Sequence, residues 1–135
     1  MAKIFKTAHG SIQLGRLEKS PLVAITQQFV TLDAGKLAVD ATAASTAIAF
    51  VSAGGELGTT FVEVVTDPNV VYTIATDRAV VDTDRNNEVD LVIVSGKLVA
   101  DLDASTTDVL KTLGTADFSP NTNEINFVIN KHIFG

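Results

Sequence analysis

The chain has 135 residues, 46% of them hydrophobic and 19% charged, which suits one folded domain and excludes an ordinary disordered chain. With no Cys, no Trp, two His and one Tyr, it has no thiol chemistry, no disulfide scaffold and few catalytic side chains to offer. The net charge of −6 divides into +3 over residues 1–36 and −9 over residues 37–135, and an acidic body of this kind repels phosphate backbones.

The first twenty residues read as a basic N-terminal arm or a first strand, followed by a single β-barrel-like domain over 21–135. Lys3, Ile4, Phe5 and Lys6 are the candidate interface residues, because apolar side chains in a terminal segment without turn signals need a surface to cover them. The opening lacks the apolar core of a signal peptide, and the most apolar stretch, 38–53, is interrupted by Asp40, Thr42, Ser45, Thr46 and Ser52. A soluble product made in the cytoplasm, without a membrane partner, is therefore expected.

Strand candidates follow at 22–32, 37–40, 46–52, 60–66 and 70–76. Their composition favours this: 17 Val, 9 Ile and 16 Thr are β-branched residues that lose rotamer freedom in a helix and fit a pleated sheet. Asp33-Ala34-Gly35-Lys36, Ala53-Gly54-Gly55-Glu56, Asp67-Pro68-Asn69 and Ser95-Gly96-Lys97 supply turn chemistry between runs. Short turns of this kind make antiparallel hairpins. The predicted fold is all-β, a small antiparallel β-barrel or a β-tulip or sandwich.

The acidic run Asp82-Thr83-Asp84-Arg85-Asn86-Asn87-Glu88-Val89-Asp90 places Asp82, Asp84, Asn86 and Asp90 at positions 1, 3, 5 and 9 of a calcium loop. Asn87 stands where that loop needs glycine and Ile93 where it needs a bidentate Glu, so a solvated acidic loop is the plainer reading and no cofactor is expected. Residues 88–94 begin as an alternating strand and end apolar on both faces, which calls for a covering element or partner. Residues 97–103 form a further strand, in which Asp101 and Asp103 keep one face wet.

Residues 105–113 are the one segment that could pass for a helix, so at most one short helix is expected, which Ser105 or Thr106 would cap and Gly114 would end. Residues 124–130 alternate strictly, with Ile125, Phe127 and Ile129 on one face. The seven Phe residues, one per segment, read as core anchors. His9 and His132, without acidic neighbours at triad or metal spacing, read as surface or edge-strand histidines.

No nucleophile elbow, phosphate loop or dinucleotide fingerprint is present, so the chain is not expected to be an enzyme. The stretch from Thr83-Asp84-Arg85-Asn86-Asn87-Glu88-Val89-Asp90-Leu91-Val92-Ile93-Val94 through Ser95-Gly96-Lys97 to Asp103-Ala104-Ser105-Thr106-Thr107-Asp108-Val109-Leu110 resembles the small head decoration (cement) proteins of tailed bacteriophages. The opening Lys3-Ile4-Phe5-Lys6-Thr7-Ala8 and the Ala/Thr/Val-rich composition match the style of such proteins. The resemblance implies a protein that docks on the outer surface of the assembled head and bridges major capsid subunits. It implies a homo-oligomer, with a trimer favoured, and a place on the virion surface. The rival expectations are another virion part, such as a tail-tube or head–tail connector subunit, and a ligand-binding β-sandwich module.

Overall fold

The computed structural model describes residues 2–7, 12–25, 28–115 and 117–134. Eleven strands are described there: β1 (Lys3–Lys6), β2 (Leu14–Glu18), β3 (Phe29–Asp33), β4 (Leu37–Asp40), β5 (Ala49–Gly54), β6 (Phe61–Val65), β7 (Val71–Ala75), β8 (Glu88–Val94), β9 (Lys97–Asp101), β10 (Leu110–Thr112) and β11 (Glu124–Ile129). They form two antiparallel sheets, ordered β1-β7-β11-β10-β8-β9 and β2-β6-β5-β3-β4. The fold is an all-β sandwich without a closed barrel.

Turn chemistry sets the hairpins. Ala34-Gly35 and Ser95-Gly96 have positive φ at both residues (49° and 73°, 52° and 77°), the conformation that matches the twist of the flanking strands. The β3–β4 connection has three residues (34–36) and the β8–β9 connection two (95–96), and both hairpins continue in regular register.

Alternation along the strands then distributes the core. In β3, Phe29 and Val30 point to opposite faces; in β5, Phe50 opposes Ala49 and Val51; in β6, Val65 opposes Val62 and Val64. Phe29, Phe50 and Val65 join Tyr72, Ile74, Leu91, Leu110 and Phe127 in the core between the sheets. The rings of Phe29, Phe50, Tyr72 and Phe127 pack with centroids 5.1–5.8 Å apart. Val30, Ala49, Val51, Val62 and Val64 fill a second, smaller core with Ile25 and Ala38, against which Leu17 and Ile133 pack.

The six-stranded sheet curls. Thr76 forms a parallel bridge with Ala100 of β9, and the Asp77 N–H donates to the Ala100 carbonyl (3.0 Å), so the far edge strand returns toward the exit of β7.

Three expectations are narrowed. Residues 105–109 form a loop and residues 110–112 form β10, so no helix stands at 105–113; the described helical turn is instead a 3-10 turn at Asp82–Asp84. Among the described residues no element of the chain itself covers the apolar end of β8, where Ile93 and Val94 are 51% and 46% exposed. Of the seven Phe residues, Phe29, Phe50, Phe118 and Phe127 are buried, while Phe5, Phe61 and Phe134 stay nearly half exposed at strand ends and termini.

Candidate functional site

The candidate residues at the N-terminus are a strand. Lys3 lies opposite Thr73, Ile4 opposite Tyr72, and, after an irregularity, Lys6 opposite Val71. Ala2 is buried and Ile4 packs against the larger core, so alternation leaves Lys3 and Phe5 facing outward. Both line a shallow groove of about 250 Å³ with Thr73, Thr122, Glu124 and Asn126. The side chain of Lys6 lies outside the described features. β1 pairs only with β7, which leaves it at an edge of the sheet.

The four candidate calcium ligands do not converge. Asp84 is buried, and its carboxylate takes both ends of the Arg78 guanidinium (Nη1 to Oδ2 and Nη2 to Oδ1, each 2.8 Å) and the Val81 N–H (2.8 Å). Arg78 also reaches Asp103 at 3.0–3.2 Å. The hydrogen bonds from Arg78 hold the Asp84 carboxyl below the usual range against the cost of burial. Asp82 accepts from Arg85 Nε (2.9 Å), and Asn86 turns the chain at φ 57°.

Asp90 points the other way. Its carboxylate accepts the backbone N–H groups of Thr106, Thr107 and Asp108 at 2.8–2.9 Å. Burial works to raise its pKa, and these N–H groups outweigh it and hold the group low. Among the described residues no group of three His, Cys, Asp or Glu is placed to hold a metal. The acidic loop is a structural joint that ties the 78–90 segment to the 103–108 loop. Asp103, expected to keep one strand face wet, lies past the end of β9 and belongs to this joint, and burial raises the pKa of Asp101.

A second surface carries no chemical motif and escaped the sequence reading. The loops 19–25 and 55–60 are bonded to one another: Lys19 N–H to the Thr60 carbonyl (2.9 Å), Gly58 N–H to Pro21 (2.8 Å) and Ile25 N–H to Gly55 (2.7 Å). Lys19, counted above with the basic arm, is only 2% exposed, and its Nζ donates to the carbonyls of Ser20 (2.9 Å) and Val23 (2.7 Å). The buried Lys19 side chain thus braces a turn that holds Leu22 84% exposed, and Leu57, on the loop bonded to it, is 69% exposed. Phe61 continues this apolar end, with the Arg16 guanidinium 5.2 Å from its ring centre. The signal available in the sequence was Pro21-Leu22-Val23 and Leu57 set among turn residues, where large apolar side chains have no core to enter.

His132 also departs from the expected surface position: it is buried where the chain passes from β11 to Ile48. His9 lies outside the described residues.

The chain matches no protein-family model, no curated protein and no solved structure.

Proposed function

We propose that this protein is a head decoration protein of a tailed bacteriophage, which binds the outer surface of the assembled shell and stabilises contacts between major capsid subunits. The observation that carries this reading is the braced apolar tip. A lysine is buried to fix a turn whose leucine is left in water, an arrangement that costs stability in the free protein and is recovered when a partner covers the leucine. The resemblance over residues 83–110 supplies the partner class, and the outward Lys3 and Phe5 offer a second contact.

Many weak copies on a lattice gain avidity, and a ligand that binds only the expanded shell stabilises that shell by mass action. The proposed assembly is a small closed homo-oligomer, with a trimer favoured, resident on the virion surface. Of the rival readings, a calcium-binding module loses its support, because the carboxylates it needs are held by Arg78 and by the 106–108 amides.

Co-sedimentation with expanded empty capsids tests the proposal. The double substitution Leu22→Ser and Leu57→Ser should reduce pelleting about tenfold or more while the melting temperature holds, in line with the loss of two apolar anchors. Pelleting unaffected by these changes and by Phe5→Ser would overturn the assignment. Rings or tubes formed by the purified protein alone would point instead to a tail-tube or connector part.

A further inference from the structure

We propose that the C-terminal segment after β11 is an acid-released latch between the two sheets, with His132 as its trigger. The segment begins on the first sheet, where the N–H groups of Asn130 and Lys131 both donate to the Val109 carbonyl (2.8 and 3.4 Å) and Asn130 Nδ2 donates to the Asp108 carbonyl (2.8 Å). It ends on the second: the Ile48 N–H donates to the Lys131 carbonyl (3.0 Å), and the Ile133 N–H donates to the Ile48 carbonyl (3.1 Å). Ile48 leads directly into β5, and Ile133 packs against the smaller core. Five residues therefore join both sheets.

His132 sits at the centre of this crossing, 8% exposed. Its Nδ1 accepts the Phe134 N–H (3.1 Å), which places the proton of the neutral ring on Nε2. Nε2 is buried and makes no hydrogen bond of good geometry, although the Val65 backbone lies close enough to the ring to favour its protonated form. Adding a proton to Nδ1 sets two donors head to head, N–H against N–H, and leaves a buried cation at the crossing. The bond that closes the end of the latch cannot survive that change.

The charges around the ring do not rescue the cation. Asp67, on the turn between β6 and β7, faces it and favours protonation, as does the Val65 carbonyl; Ile48 and β5 carry no titratable side chain, and Lys131 on the latch itself is exposed. Burial is the largest influence and keeps the pKa below the ordinary value of 6.5. The sign follows: the unfolded or unlatched histidine binds a proton more readily, so the latch is closed above about pH 6.5 and weakens as pH falls through the lowered folded value.

Amide hydrogen exchange on the full chain tests this. After correction for intrinsic rates, protection of the Ile48 and Ile133 amides should fall severalfold between pH 7.5 and pH 5.5, up to the limit of about tenfold that one titrating histidine sets, while amides of the β8–β9 hairpin hold. In His132→Asn the side-chain oxygen can accept the same N–H two residues on, as in an Asx turn, and does not titrate, so the loss should vanish. Unchanged protection in the wild type, or an equal loss in His132→Asn, would refute the latch. Should that variant fail to fold, the ring Cε1–H titration of the native protein decides: a midpoint below 6.5 supports the latch, and one at or above it overturns it.

Discussion

Asp84 and Asp90 stand six residues apart on one acidic stretch, and what reaches each of them from elsewhere in the chain decides its role. Asp84 answers Arg78, so Asp84→Ala leaves a guanidinium with the exposed Asp103 as its one charged partner. The loss should be about 2 kcal/mol in urea unfolding, at the low end for a broken buried pair because the Arg78 side chain is 33% exposed. Asp90→Ala strands three backbone N–H groups and should cost about 2–3 kcal/mol. Both carboxyls titrate below their ordinary value of 3.8 in the folded state. The unfolded chain therefore takes up protons first, and their contribution is complete above the ordinary carboxylate range and disappears as pH falls through the lowered folded values. A melting-temperature profile from pH 6 to pH 2 should steepen below pH 4, and Asp90→Asn should flatten it.

At the scale of elements, local chemistry and tertiary contact compete. Gly55 has φ +87°, and a Cβ there would lie 2.5 Å from the Ile25 carbonyl oxygen, where the two tip loops join. Gly58 has φ +90° with open space around it. Gly55→Ala should therefore destabilise by roughly 2 kcal/mol or more and Gly58→Ala by only about 1 kcal/mol, compared by chemical denaturation. The 105–113 segment shows the opposite balance. Its capping residues are real, but the amides they would start a helix with bind Asp90, Asp108 turns at φ 54°, and Leu110–Thr112 pair with β8 and β11. β1 is a third case. Because Ala2 is buried and β1 covers the edge of β7, deleting residues 1–7 should lower the melting temperature by about 5 °C or more, whereas Phe5→Ser should leave it nearly unchanged. Substitution, and not truncation, separates binding from folding here.

The whole molecule is organised by the placement of its second sheet between two cores, one shared with the six-stranded sheet and one of its own. The sequence by itself determined the all-β class, the two tight hairpins, the bounds of β4 and β8 and the burial of one face of β11. These follow from turn residues and from side-chain alternation, which act over a few neighbouring residues. It did not determine the partition of Phe29 from Val30 or of Val65 from Val64 into separate cores, since an apolar run looks the same whichever layer covers each face. Nor could it separate the carboxylates of the acidic loop, bury Lys19 and His132, or join the loops that carry Leu22 and Leu57. Those outcomes depend on which distant residues supply a guanidinium, a free amide or a carbonyl, and only the packing of the two sheets brings such partners within reach.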